Sequence, residues 1–402
     1  MSGLLRQRVF LKTDDLGPRY DVVVIGGGGH GLATAYYLAK RHGIRNVAVL
    51  ERAYIGAGGT GRNTTVIRAN YKAPETIALY KLGLELYRTL SQELDFNLLF
   101  SSRGLLWLAH SESSLRIQRE RALLNRASGT ETDFVGVDEI RKLCPLLDLS
   151  GGGRLPVLGA SHHPPGSIVR HDGVVWGYAS AAERLGVHVH QGIEVTDVVV
   201  EGGRCLGVET TKGRISAGAV VCAAGGYVTT VASMAGVQLP IATHPLQAFV
   251  TEAYKPALDQ IVFSAELLVY VSQSARGELV AGGEIERYTG YSTASTFSFL
   301  ADLSARLIML FPFMAKLRIL RQWAGVCDMT PDYSPILGET EVERFYLNCG
   351  WGTGGFKAIP AGGLATAELV ATGKVPPLIA PFALTRFRED RAVSERASAG
   401  TH

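Results

Sequence analysis

Residues 20–51 read YDVVVIGGGGHGLATAYYLAKRHGIRNVAVLE, and the fold follows from this stretch. Val22-Val23-Val24-Ile25 is an unbroken run of β-branched residues, which suits a strand buried on both faces. Four glycines follow, then a segment from Leu32 with helical spacing and small residues on one side. After Gly43, Val47-Ala48-Val49-Leu50 makes a second strand that ends on Glu51. The unit is βαβ. Within it, Gly26, Gly28 and Gly31 form G-x-G-x-x-G between a strand and a helix, with Gly29 and His30 completing the loop. The first glycine permits the tight turn, the second lets backbone approach a pyrophosphate, and the third lets helix pack on strand. The helix N-terminus then faces the phosphates, and Glu51 stands where a carboxylate accepts ribose hydroxyls. A ligand-free glycine turn would explain the loop, but not strand, helix and acid together. The stretch reads as a dinucleotide site.

The rest of the chain is consistent with a globular α/β protein. Its 402 residues suit two or three domains at roughly 100–200 residues each. Hydrophobic residues at 47% and charged residues at 19% exclude a disordered chain. Forty Lys and Arg against 37 Asp and Glu leave too little net charge for a nucleic-acid or anionic-membrane partner. Five scattered Cys without a CxxC pattern argue for a reducing compartment and against a disulfide framework or zinc cage. The first twenty residues lack an apolar core of signal length, and the apolar stretch 297–320 is broken by Asp302, Arg306, Lys316 and Arg318. The expected location is the cytoplasm, with no metal and no membrane span.

Further along, helical spacing covers residues 73–100, a strand 104–109, a charged helix 112–128 and a small-residue helix 176–185. Strands follow at 187–189, 195–200 and 205–210, then a buried one at 219–222 before Gly225-Gly226. Residues 238–320, rich in Thr, Ser, Tyr and Phe, read as a separate and mostly antiparallel sheet. A last strand at 345–348 leads through a glycine loop to a helix at 361–372 closed by Gly373, and the polar tail after Arg386 is expected to fray. The division this predicts is a discontinuous dinucleotide domain of residues 19–88, 160–232 and 322–390, and a substrate domain of residues 89–159 and 233–321.

Two further loops bear on which dinucleotide binds. Just after Glu51 and Arg52 comes GAGGTGRNTT, residues 56–65, with Gly59, Thr60, Arg62, Asn63 and Thr64. Such a loop brings backbone N–H groups and Arg62 alongside a flavin. Late in the chain, Gly350-Trp351-Gly352-Thr353-Gly354-Gly355-Phe356-Lys357 precedes a helix, offering a second N-terminus to the electron-rich end of a reduced isoalloxazine. A plain loop would explain either one alone. Together they favour FAD over NAD.

The order GGGGHG, LER, GAGGTGRN, VVCAAGG and CGWGTGGFK resembles the amine-oxidising FAD family that includes D-amino acid oxidase and sarcosine oxidase. RHDGVVWGYA at 170–179, VYVSQS at 269–274, RQWAG at 321–325 and DYSP at 332–335 are similar to the beta subunits of heterotetrameric sarcosine oxidases. The likeness runs from about Tyr20 to Phe387. It implies a glutathione-reductase-type FAD-binding Rossmann domain plus an antiparallel β-sheet substrate domain. It also implies oxidative demethylation of sarcosine, with non-covalent FAD, FMN attached covalently through His171, electrons passed to oxygen, and hydrogen peroxide as product. The partners implied are an alpha subunit and small gamma and delta subunits.

The same resemblance singles out residues. Gly26, Gly28, Gly29, His30, Gly31, Glu51, Arg52, Gly59, Thr60, Arg62, Asn63, Gly225 and residues 352–357 are expected at the FAD. Arg68 and Lys357 are expected to hold the substrate carboxylate, with Thr64 and Trp351 shaping the pocket. For an isolated Arg or Lys a solvated surface charge is the ordinary reading; here both follow flavin loops. His171 has two plainer readings, a histidine at a helix start or a metal ligand with His162, His163 and Asp172, although Pro164-Pro165 interrupts that spacing. Monomeric relatives carry a further lysine over the flavin, and the stretch 273–283 offers Arg276 but no lysine. Two alternatives stay open: the beta subunit of a dye-linked proline or opine dehydrogenase, and a non-catalytic FAD-binding assembly subunit.

Overall fold

The computed structural model describes residue 11 and residues 15–396. The reading of the first residues as lacking a targeting signal falls largely outside them. Eight helices are described: α1 Gly29–His42, α2 Pro74–Glu93, α3 Glu112–Ala127, α4 Val137–Leu143, α5 His171–Arg184, α6 Val228–Met234, α7 Phe297–Leu310 and α8 Gly355–Thr372. None is long and apolar enough to cross a membrane. All five cysteines are buried and free.

The first sheet is built on the βαβ unit. Arg19–Ile25 pairs in parallel with Val47–Glu51 on one side and with Gly213–Cys222 on the other. His188–Gln191 extends the sheet beyond Val47–Glu51, and Phe345–Cys349 pairs in parallel with the end of Gly213–Cys222. The central strands are covered on both faces, which is why they read as continuous apolar runs. On one face lie α1, α2, α5 and α8, whose small residues let Ala33, Ala35, Ala361 and Ala365 pack closely in one core.

The second sheet runs in the order Ile319–Met329, Ala242–Ala253, Glu278–Ile285, Val269–Gln273, Ile261–Ser264, Leu105–Ala109, Gly159–His163, Asp133–Val135. It is antiparallel except where Leu105–Ala109 lies parallel to Ile261–Ser264. Expected domain boundaries at residues 160 and 322 fall inside Gly159–His163 and Ile319–Met329, and every pairing of these two strands lies in the second sheet. Its covering face is apolar, with Leu303, Leu307 and Leu310 of α7 packed over Val269, Val271 and Leu279.

Two expectations are corrected. The last long helix begins at Gly355, six residues before the expected start, and carries Pro360 inside it. Proline has no N–H to offer the Phe356 carbonyl one turn back, and the Tyr87 hydroxyl donates to that oxygen instead, at 2.7 Å. Nor do the described residues after Arg386, which run to Arg396, fray. The Arg386 guanidinium and the Asp332 carboxylate form a buried pair, Nε to Oδ2 at 2.8 Å and Nη2 to Oδ1 at 2.9 Å. Beyond it, the Val393 and Glu395 N–H groups donate to Asp332, the former to its carboxylate and the latter to its carbonyl.

Glu395 is itself buried and accepts from the N–H groups of Ala73, at 2.7 Å, and Lys72, at 3.2 Å. The chain entering α2 offers no side-chain cap at Ala73, so the tail supplies the missing acceptor from the far end of the sequence. Glu395→Ala strands these two donors and is expected to cost about 1–3 kcal/mol of stability, read as a lower urea midpoint at unchanged slope. An unchanged midpoint would show that water replaces the carboxylate.

Candidate active site

A cavity of about 580 Å³ opens at the carboxyl ends of the central strands and runs between the two sheets. Its walls include Gly26, Gly28, Gly29, His30, Glu51, Arg52, Gly59, Thr60, Arg62, Asn63, Thr64, Arg68 and Gly225. Gly352, Thr353, Gly355, Phe356 and Lys357 complete it from the late loop and the first turn of α8. Residues more than 300 positions apart in sequence thus meet in one space. Gly31 and Gly354 are not part of the lining, and their roles are packing ones. A Cβ on Gly31 would run into the Gly26 carbonyl, and one on Gly354 into the Tyr80 hydroxyl.

The glycines of the first loop separate by function. Gly26 has φ +112°, a conformation that side chains strain, and a Cβ there would strike the Ala223 carbonyl. Gly28 is different: its backbone is extended, at φ −80° and ψ 179°. A Cβ there would meet only the Thr60 hydroxyl, at 3.3 Å. The space that Gly28 leaves is cavity, where a phosphate group fits against backbone. Neither α1 nor α8 carries a side-chain cap at its N-terminal glycine, and both helices start at the cavity wall. Glu51 closes the other side, with Oε2 accepting from the Gly27 N–H at 2.9 Å and Oε1 from Ala53 at 2.9 Å. These features fit a dinucleotide.

His30 lines the cavity with its imidazole turned toward α8. The ring stacks on Trp351, with centroids 4.2 Å apart, and Nε2 lies 2.9 Å from the Gly355 carbonyl. Burial holds its pKa down to about 3, so the ring is neutral and Nε2–H is the donor. This bolt between α1 and α8 fixes the late glycine loop. Asp328, missed from sequence, fixes its other side by accepting from the N–H groups of Gly350, at 2.7 Å, and Gly352, at 3.1 Å. Burial raises the Asp328 pKa to about 6 against the opposing pull of these backbone donors.

At the other end of the cavity two buried cations meet. Arg68 is 2% exposed, donates to the carbonyl and side-chain oxygens of Asn70 at 2.9 and 3.1 Å, and lies 4.1 Å over the Tyr71 ring. Lys357, 8% exposed, donates to the Thr353 carbonyl at 3.1 Å. Burial, and then the Arg68 charge, lower its pKa to about 7. Around them stand aromatic side chains that sequence reading missed. Tyr270 accepts a hydrogen bond from Thr64 at 3.3 Å and stacks on Phe263, which stacks on Trp107. Their approach depends on strand register in the second sheet, for which no local pattern exists.

His171 is not in this lining. It is the first residue of α5, on the far side of the turn Thr60–Arg62 against which α5 packs. Its Nδ1 lies 3.9 Å from Asp172 Oδ1, with its side chain one-third exposed. Burial lowers its pKa, opposed by Asp172 and a backbone hydrogen bond at Gly61, while Arg170 and Arg321 add to the lowering. A neutral, partly accessible imidazole results, set among cations and separated from the main cavity by one turn of chain.

A family model described as FAD dependent oxidoreductase matches residues 21–369. The chain belongs to this family. Among curated members it is 47% identical to the sarcosine oxidase subunit beta of Rhodobacter capsulatus, covering 95% of this chain and 92% of that one. It is 42% identical to the subunit of the same name from Arthrobacter sp, covering 94% of each. Among solved structures, L-proline dehydrogenase from P.horikoshii superposes with a TM-score of 0.88 at 30% identity, covering 93% of this chain and 99% of that one. Glycine oxidase from Geobacillus kaustophilus, with a TM-score of 0.84 at 24% identity over 92% of this chain and 99% of that one, shares the fold. For an FAD-dependent oxidoreductase, the two-sheet architecture and the cavity between the sheets are accounted for together.

Proposed function

We propose that this oxidoreductase is the beta subunit of a cytoplasmic heterotetrameric sarcosine oxidase, joined by alpha, gamma and delta subunits. Its first sheet and covering helices hold non-covalent FAD, and the second sheet supplies the substrate wall. The observation that carries this reading is the pair of buried cations, Arg68 and Lys357, at one end of a cavity whose other end is the Gly26–Glu51 unit. The Gly26–Glu51 unit and the late glycine loop would hold FAD, which would supply an acceptor for a hydride equivalent from the N-methyl group of sarcosine, and His171 would hold FMN, which would supply the route for the two electrons to oxygen, giving hydrogen peroxide. The resulting imine gives glycine and formaldehyde on hydrolysis.

The chain's own residues set the conditions for that chemistry. Arg68 and Lys357 hold the carboxylate, and their charge disfavours a third cation nearby, so the substrate amine is biased to its neutral form with a lone pair free. Phe263 and Tyr270, stacked in the same cavity lining, reduce the room for water there. His171, neutral for the reasons given above, has the lone pair needed to attach a flavin through carbon, and Arg170 and Arg321 suit a phosphate beside it.

The titration of Lys357 gives a test. The ammonium binds a carboxylate and the neutral amine does not, so in the resting protein affinity falls as pH rises through about 7. Lys357→Met is expected to weaken a competitive carboxylate such as methylthioacetate by about 10–100-fold at pH 6 and to flatten this pH dependence, with FAD content unchanged. Equal affinity in the variant would remove Lys357 from the clamp.

The likeness to L-proline dehydrogenase supports a second reading, oxidation of a cyclic secondary amine. Anaerobic titration of the purified complex with sarcosine, L-proline and dimethylglycine decides between them by which amine bleaches the flavin at the lowest concentration. Bleaching by none of the three would favour a non-catalytic subunit.

A further inference from the structure

The adenosine end of the cavity carries, beside Arg52, two tyrosines that the FAD reading leaves unused. Arg52 follows Glu51 directly, and its guanidinium carbon lies 3.7 Å over the ring of Tyr227. On Tyr227 stacks Tyr291, with centroids 5.0 Å apart and planes 25° from parallel. All three side chains line the cavity. They come from three places: the end of the strand Val47–Glu51 of the first sheet, the short turn Gly225–Tyr227 after Gly213–Cys222, two strands away, and an exposed loop of the second sheet at residues 286–296.

That loop is pinned rather than adrift. The Gly290 N–H donates to the Thr243 carbonyl at 2.9 Å, the Ala324 N–H to the Thr293 carbonyl at 3.0 Å, and the Thr296 N–H to Gln247 Oε1 at 2.7 Å. The pins flank Tyr291 on both sides and fix its ring over Tyr227. An exposed tyrosine, 45% accessible, is thereby held against a cation–aromatic pair. Such planar groups are what a purine face packs on, since every base presents a π-face to an aromatic ring or guanidinium.

We propose that Arg52, Tyr227 and Tyr291 form a latch between the two sheets that retains the adenosine half of the dinucleotide. The latch rests on the FAD assignment and adds a contribution from the second sheet to cofactor binding. The nucleotide leaves only when Tyr291 unstacks from Tyr227 and the loop parts from the first sheet.

The test uses the protein with whatever chains copurify, stripped of non-covalent flavin. Dissociation constants are measured for FAD by fluorescence quenching and for ADP by competition, because ADP reports on the adenosine half alone. Tyr291→Ala is expected to weaken both about tenfold, the scale of one lost aromatic pair, and to speed FAD release. Tyr291→Phe keeps the stack and is expected to bind as wild type. Tyr288→Ala, in the same loop but outside the cavity lining, is expected to change neither constant. Wild-type affinity of Tyr291→Ala for both ligands overturns the proposal. So does equal loosening by Tyr288→Ala, which would make the effect one of loop folding, or loosened FAD with unchanged ADP. Failure of the wild-type protein to bind FAD at all would instead strike the cofactor assignment itself.

Discussion

Gly28→Val is expected to yield a folded protein that purifies with less than about a tenth of the wild-type FAD. The extended backbone at Gly28 accepts a β-branched residue, and its Cβ meets only the Thr60 hydroxyl, so the apo fold has no reason to fail. The added methyl groups instead fill the space where backbone must approach the pyrophosphate. The same change at Gly26 or Gly31 would drive a Cβ into backbone carbonyl oxygen and damage the fold. Flavin content by absorbance, set beside circular dichroism of the same preparation, separates the two effects. A Gly28→Val protein with full FAD would remove the dinucleotide from this loop.

His171→Asn is expected to abolish acid-stable flavin and to cut oxygen-dependent turnover by at least about a hundredfold, while substrate still bleaches the non-covalent flavin under anaerobic conditions. The separation follows from placement. His171 sits across the Thr60–Arg62 turn from the cavity, so its loss touches neither the glycine cradle nor Arg68 and Lys357. Asparagine retains hydrogen-bonding capacity but has no nucleophilic ring nitrogen. The measurements are flavin content after acid precipitation, single-turnover bleaching and steady-state oxygen uptake. Covalent flavin persisting in the variant would move the attachment to another residue.

The parts of this architecture that were legible in sequence are those that depend on neighbours in the chain. The βαβ unit announces itself because strand, glycine turn and helix are consecutive, and each glycine of the motif has a steric reason that the structure bears out at Gly26 and Gly31. Element ends were less legible. The helix expected at 176–185 starts at His171 because Gly173 and Gly177, weak helix formers, pack against Leu98 and Leu94. Pro360 disguised the start of α8 because its cost is met by a tyrosine on another helix. Asp328 and Tyr291 had no signal at all, and Tyr227 and Tyr270, although beside or within stretches singled out for their resemblance, had none for a place at the site. Asp328, Tyr270 and Tyr291 reach the cavity through long-range pairing of strands or a loop pinned to them, and Tyr227 through the turn after Gly213–Cys222, so their place at the site depends on partners distant in sequence.

The cavity wall begins at Ile25 and ends at Ile359, and the buried carboxylate ahead of α2 comes from Glu395. Synthesis delivers these pieces far apart in time. The first strand, the glycine turn and α1 leave the ribosome early, but the strand Arg19–Ile25 then lacks its neighbour Gly213–Cys222 on one edge. The second N-terminus at the cavity and the cation Lys357 arrive with α8, and the tail that satisfies the entry to α2 arrives last. A chain cut before Gly213 therefore exposes a nucleotide-loop half-site with an open sheet edge.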